Sequence, residues 1–185
     1  MADGMIVRAA TQADAQALAE IYGHAVLHGF GTFEEEPPGA ADMEARRMAI
    51  VSQGLPYLVA EDAGRVLGFA YAAPFRPRAA YRYTLEDSVY VAPDAAGKGV
   101  GRTVLRAVID ACEALGVRQL MAVIGDSENA ASIGLHRSLG FEQTGVGRSV
   151  GFKHGRWVDI VHMQKPLNGG DTALPTGGGV TLTGH

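Results

Sequence analysis

The chain has a single cysteine in 185 residues, Cys112. That excludes an intramolecular disulfide framework and most thiolate metal cages. Cys112 falls on the apolar stripe of a helical segment, where a thiol serves as packing rather than as a nucleophile. No apolar run approaches the ~20 residues that span a bilayer. The first residues lack the basic-then-apolar pattern of a secretory signal. A cytoplasmic protein without a membrane partner is therefore expected. Basic charge is short as well: 16 Lys and Arg against 20 Asp and Glu leave a net charge of −4. Nucleic-acid binding needs a basic face, so no nucleic-acid partner is expected. His24 and His28 have the i, i+4 spacing of a metal pair on a helix. They lack the glutamate of H-E-x-x-H and a third ligand, and no metal is expected.

What the chain does have is an ordinary globular balance, 47% hydrophobic and 19% charged, and 25 glycines. At this length a single domain with a real core is expected. The most informative stretch is Val89-Tyr90-Val91-Ala92-Pro93-Asp94-Ala95-Ala96-Gly97-Lys98-Gly99-Val100-Gly101-Arg102. It runs an apolar strand into a glycine-rich turn that opens onto a helix. A helix start offers unpaired N–H groups and the positive end of a dipole, which together bind phosphate. Glycine leaves room for a phosphate to approach and permits positive φ. The triphosphate loop G-x-x-x-x-G-K-[ST] does not fit, because Lys98 lies between glycines. The dinucleotide fingerprint fails too: Thr103 or Val104 stands where its third glycine belongs.

Periodicity organises the rest. Ile6–Ala9 reads as a strand, and Thr11 with Asp14 as the cap of a helix carrying Ala17, Leu18, Ile21, Ala25 and Val26. A second helix runs from about residue 41 to 52. Strands at 57–61 and 66–71 are joined by the turn Asp62-Ala63-Gly64-Arg65. The strand 84–91 leads to the helix 100–115, whose apolar positions are Val104, Leu105, Val108, Ile109 and Cys112. A strand at 119–124, a helix at 130–139 and strands at 141–152 and 157–165 follow. Residues 168–185, rich in glycine and threonine, read as a flexible tail. The order β-α-α-β-β-β-α-β-α-β-β is mixed α/β with a largely antiparallel first half.

Ala96-Gly97-Lys98-Gly99-Val100-Gly101 resembles the Q/R-x-x-G-x-G/A pyrophosphate loop of GNAT-type acetyltransferases. Asn129 to Phe141, ending Leu139-Gly140-Phe141, resembles their second cofactor helix. Glu86-Asp87-Ser88-Val89-Tyr90-Val91, Ala122-Val123-Ile124-Gly125 and Gly151-Phe152-Lys153-His154-Gly155-Arg156-Trp157 resemble the phosphinothricin and methionine sulfoximine acetyltransferases. The likeness covers about residues 6 to 167. It implies a GNAT fold: a mixed, mostly antiparallel sheet with about four helices, splayed at the acetyl-coenzyme A site. An acetyltransferase domain at 1–167 is implied, with 168–185 as the tail. The resemblance assigns the pantetheine arm to the backbone of Val89, Tyr90 and Val91. It assigns the pyrophosphate to the amides of Gly97, Lys98, Gly99, Val100, Gly101 and Arg102, with Asn129, Ser132 and His136 beside the cofactor. Ala96 departs from the pattern, which has Gln or Arg there. One side-chain contact is lost while the backbone contacts remain.

Acetyl transfer to an amine needs a neutral amine, a stabilised oxyanion and a proton for the leaving thiolate. An α-amine titrates near pKa ~8, so a carboxylate near the thioester has a proton to remove. Glu86 resembles the glutamate with this role, and Asp87 is the alternative. Alternation puts Glu86 and Ser88 on one face of the strand, Asp87 and Val89 on the other. His136 stands where many relatives have a tyrosine acid. It is either an acid toward the thiolate or a packed, hydrogen-bonded histidine. Phe33, Phe75, Arg76, Arg78, Tyr83 and Lys153 are expected at the acceptor, where Arg grips a carboxylate with two parallel bonds. The implied reaction is direct acetylation of the α-amine of a small amino acid analogue. A polyamine or a protein N-terminus as acceptor, and a non-catalytic acyl-coenzyme A-binding module, remain alternatives. A homodimer is expected from the resemblance and from the residues near Phe152 and Trp157.

Overall fold

The computed structural model describes residues 4–181. Seven strands form one sheet: β1 (Ile6–Ala9), β2 (Tyr57–Asp62), β3 (Arg65–Pro74), β4 (Thr84–Val91), β5 (Gln119–Gly125), β6 (Glu142–Lys153) and β7 (Arg156–Pro166). Their spatial order is β1-β2-β3-β4-β5-β7-β6. Four α-helices accompany them: α1 (Ala15–His28), α2 (Ala40–Val51), α3 (Val100–Ala114) and α4 (Ala130–Ser138). Every strand pair is antiparallel except β4 with β5. This is the mixed, mostly antiparallel architecture that the resemblance implied.

The parallel pair is also the incomplete one. β4 and β5 are bridged from Thr84–Gln119 to Asp87–Ala122 and no further. Beyond that point β4 stays paired to β3, out to Val91–Gly68, and β5 stays paired to β7, out to Gly125–Ile160. The two strands therefore part at Asp87 and leave their facing edges open, a fork in the middle of the sheet.

Helices cover both faces. Tyr22 of α1 meets Tyr90 of β4 edge to face, with ring centroids 4.8 Å apart. At the start of α3, Gly101 lies against Val89 and Val91. Alternation places Tyr90 opposite its two neighbours, so α1 and α3 sit on opposite faces of the sheet. The apolar stripe of α3 is its docking surface: Val104, Leu105, Val108, Ile109 and Cys112 are each fully buried. Each such side chain contributes about 1.5–3 kcal/mol by leaving water.

The segment expected to be a flexible tail is held down as far as it is described. Arg118 donates to the carbonyls of Gly170 (2.8 Å) and Ala173 (2.6 Å), and Val180 N–H donates to Arg82 O at 2.8 Å. Composition gave no sign of this, because the tail offers backbone carbonyls rather than apolar side chains. Residues 182–185 of that tail lie outside the described residues. Among the described residues no helix is long and apolar enough to cross a membrane.

Candidate active site

The glycine turn takes the form the sequence suggests, with different reasons for different glycines. Gly97 and Gly99 have φ of 75° and 83°, the left-handed region where a side chain is strained. A Cβ on either would point into open space, so the turn presents an uncovered cradle. Gly99 is also the N-cap of α3. The first helical bond runs from Thr103 N–H to Gly99 O at 3.0 Å. The N–H groups of Val100, Gly101 and Arg102 precede it and have no partner in the helix ladder. They stand at the positive end of a helix of 15 residues, an arrangement that could hold an anion.

A cleft of about 520 Å³ leads from this turn along the open edge of β4. Val89, Tyr90, Val91, Gly97, Gly99, Val100, Gly101, Arg102, Asn129 and Ser132 line it, so the structure brings together most of the expected cofactor contacts. Lys98 is exposed at the turn and is not part of the cleft wall. Ala96, the departure from the resemblance, does form part of it. Asn129 is committed to its helix: its Oδ1 accepts from Ser132 N–H (3.1 Å) and its Nδ2 reaches Gly125 O (3.3 Å).

A smaller cavity of about 130 Å³ lies at the fork, walled by Asp87, Ser88, Val89, Ala122, Ile124, Asn129, Ser132 and His136 among others. Here the structure supplies a contact the sequence did not announce. His136 Nε2 lies 2.9 Å from Asp87 Oδ1, and both side chains are buried. Alternation had put Asp87 on the face opposite Glu86. What sequence reasoning missed is that α4 docks on that face.

Glu86 is half-buried on the other face, in register with Ala73 of β3, while Ser88 is in register with Tyr71. Burial raises its carboxyl above the ordinary range, and the neighbouring charge of Asp87 adds to this, while Arg76 pulls the other way. A carboxylate with a raised pKa is a stronger base, and it sits at the inner end of the fork. Arg76 is thus within electrostatic reach of Glu86, and it stacks on Phe75 at 4.9 Å from the ring centroid. Arg78 is exposed nearby at the head of a short helical turn.

Two expected acceptor residues are tied to the protein's own carbonyls, and a third packs beside the fork. Lys153 is 1% exposed, and its ammonium donates to the carbonyls of Gly29 (2.9 Å) and Thr32 (2.8 Å). It holds the α1–α2 loop rather than facing a ligand. Burial lowers its pKa, against the pull of Glu35 and Glu34. Tyr83 donates its hydroxyl to Gly177 O at 2.6 Å, which turns it toward the C-terminal segment. Phe33 packs on Gly151, where a Cβ would come within 2.3 Å of the ring. At Gly125 a Cβ would lie 1.7 Å from Phe30 O. Glycine at these two positions lets the α1–α2 loop close onto β5 and β6 beside the fork.

Among the described residues no group of three or more His, Cys, Asp or Glu side chains is placed to hold a metal ion. His24 and His28 lie against one another with their rings tilted by 45° and centroids 4.6 Å apart. The thiol of Cys112 is buried behind the sheet and pushed up to about 12 by that burial.

Comparison with known proteins is decisive for the family. The profile of the acetyltransferase (GNAT) domain matches residues 7–162. This chain belongs to the GNAT acetyltransferase family. It is 57% identical over 169 residues to the phosphinothricin N-acetyltransferase of Alcaligenes faecalis, covering 91% of this chain and 86% of that one. It is 44% identical over 163 residues to the L-methionine sulfoximine/L-methionine sulfone acetyltransferase of Pseudomonas aeruginosa PAO1, covering 88% of this chain and 94% of that one. Among solved structures, the phosphinothricin acetyltransferase of Sinorhizobium meliloti in complex with AcCoA superposes with a TM-score of 0.92 at 47% identity. That match covers 97% of both chains. The chain is an acyltransferase of the GNAT fold, and the fork in its sheet is the splay of that fold.

Proposed function

We propose that this acetyltransferase moves the acetyl group of acetyl-coenzyme A directly onto the α-amine of a small amino acid analogue, of the phosphinothricin or methionine sulfoximine/sulfone kind. The observation that carries the reading is the fork itself. An anion cradle stands at its outer end and a half-buried carboxylate of raised pKa at its inner end. The cradle fits a pyrophosphate: open space over Gly97 and Gly99, and three helix-start amides without helical partners. The open edge of β4 at Val89–Val91 fits an extended amide arm laid down like an added strand. When bound, acetyl-coenzyme A supplies an activated thioester.

The protein's own part is positioning and proton removal. Glu86 takes the proton of the acceptor amine, either directly or through one water. The nitrogen bonds the acetyl carbon, the carbon–sulfur bond breaks, and coenzyme A leaves as a thiolate that takes up a proton from the acceptor amine or from solvent. Arg76 and Arg78, with Phe75, offer the acceptor's carboxylate a cationic, aromatic-edged landing beside Glu86. A polyamine needs acidic surroundings, and these arginines disfavour it. Direct transfer suits a site whose only thiol is sealed behind the sheet. Release of free thiol from acetyl-coenzyme A, measured across amino acid analogues, polyamines and peptide N-termini, tests the proposal. The two named analogues are expected to give the highest kcat/KM, and a polyamine or peptide preferred over them overturns it.

The same reading has a cytoplasmic homodimer whose acetyltransferase unit spans residues 1–167, with 168–185 as an accessory segment. Phe152 and Trp157 are cross-strand partners on the β6–β7 hairpin, 59% and 63% exposed, with Val150 beside them at 52%. An apolar patch of this kind suits a two-fold contact with a second copy. Light scattering at micromolar concentration is expected to give about twice the mass of one chain, and a single-chain mass refutes the dimer.

A further inference from the structure

The fork is held by a pair of side chains for which proton removal by Glu86 has no use. Asp87 is the last β4 residue bridged to β5, opposite Ala122, so it stands where the strands part. Its Oδ1 meets His136 Nε2 at 2.9 Å, and the other ring nitrogen is taken as well: Nδ1 lies 2.8 Å from Ser132 O. A carbonyl oxygen only accepts, so Nδ1 carries a hydrogen. The contact between Nε2 and Oδ1 then requires one further proton, whichever of the two atoms holds it. Without that proton a lone pair faces a carboxylate oxygen and the contact becomes repulsive. Among the described residues this is the one side-chain hydrogen bond from α4 itself to the sheet.

Apart from the Glu86 carboxylate, which lies across β4 and feels the charge of Asp87, the surroundings leave the pair to itself. Asp87 is 4% exposed and His136 2%, with the Phe141 ring edge-on to the imidazole at 5.1 Å. From α3 the facing titratable group is Cys112, whose thiol stays neutral. From β5 the partner is Ala122, and Glu86 points to the opposite face of β4. On α4 the Ser132 hydroxyl lies 3.4 Å from Nδ1. Asp87 Oδ2 is buried with no hydrogen-bond partner among the described residues, a costly state for an ionised carboxylate and one that favours keeping a proton on the pair.

We propose that Asp87 and His136 form a one-proton clamp that fixes α4 against the fork, and so sets how deeply the thioester end of acetyl-coenzyme A enters the cleft. The inference rests on the acetyltransferase reading of the site. Both are positioning residues: with both ring nitrogens engaged, His136 has no N–H free to meet a thiolate. Burial opposes a charged imidazole, but the hydrogen bond and charge of Asp87 outweigh it, and His136 holds its proton more tightly than a free imidazole does. The clamp therefore stays closed to a higher pH than a free imidazole would allow. It opens as the pH rises through that raised value, above the ordinary ~6.5.

The test begins with the protein alone. Nitrogen-15 NMR of His136 is expected to show Nδ1 protonated throughout and one proton released above the ordinary imidazole range. Calorimetric affinity for acetyl-coenzyme A should fall over the same interval. Asp87→Ala and His136→Ala are each expected to weaken that affinity about tenfold, the scale of one lost buried hydrogen bond. In Asp87→Asn the amide N–H can donate to neutral Nε2, so the clamp needs no titrating proton. Affinity should return to within about threefold of wild type, and the pH step should vanish. Alanine variants that bind like wild type, or an asparagine variant as impaired as the alanine one, overturn the clamp. A wild-type protein that does not bind acetyl-coenzyme A overturns instead the reading on which it rests.

Discussion

Replacing Glu86 with glutamine is expected to lower turnover at neutral pH by about two to four orders of magnitude, the usual range for losing a general base. Glutamine keeps the size of the side chain and part of its hydrogen bonding, so the loss isolates basicity. Two pH signatures follow. In the wild type the base must be ionised, so activity is present above the pKa of Glu86 and lost as the pH falls through it. Burial has raised that pKa, with the charge of Asp87 adding and Arg76 opposing, so the acid limb lies above the ordinary carboxylate range. The variant should lack this limb. Its deficit should shrink toward high pH, because an α-amine with pKa ~8 then arrives already neutral. Affinity for acetyl-coenzyme A should stay close to wild type, since the cradle is built from backbone groups across the fork. Near-normal turnover of the variant at pH 7 would show that Glu86 is only an acid on a strand.

A carboxylate placed in the glycine turn should be as damaging to binding as the first change is to turnover. Gly99→Glu is expected to weaken acetyl-coenzyme A by about a hundredfold or more, or roughly 3 kcal/mol. Three effects combine. A side chain at φ 83° is strained by about 1–2 kcal/mol, it fills the open space over the turn, and its charge repels phosphate. The introduced carboxylate also satisfies the helix start that an incoming anion needs. Gly99→Ala carries the strain without the charge and should cost far less affinity. Gly101→Glu should be severe too, but it is the less clean probe. Gly101 is not in the left-handed region, and a Cβ there already lies 3.2 Å from Leu135 and 3.3 Å from Val91, so packing of α3 is disturbed along with the site. Calorimetry on variants shown to be folded by thermal melts decides the matter. Unchanged affinity in Gly99→Glu would move the pyrophosphate off this turn.

The sequence by itself determined whatever depends on short-range physics. The strand, glycine turn and helix of residues 89–115 were legible because helix period, turn chemistry and capping act over a few residues. The opposite facing of Glu86 and Asp87 was legible because a strand alternates by geometry alone. The family was legible because several such local patterns stand in order. Tertiary structure decided what depends on docking. Asp87 and His136 are 49 residues apart, and Lys153 and Thr32 are 121 apart. Nothing local distinguishes a lysine that will grip a loop carbonyl from one that will face a substrate. Tyr83 likewise meets a carbonyl 94 residues away, which no periodicity foretells. The fork arises because β4 and β5 each continue with a different outer partner after Asp87 and Ala122, and partner choice is settled only when the whole sheet assembles. Glu86 gained its raised pKa in the same way, from burial that exists only after the helices and loops have closed over the strand.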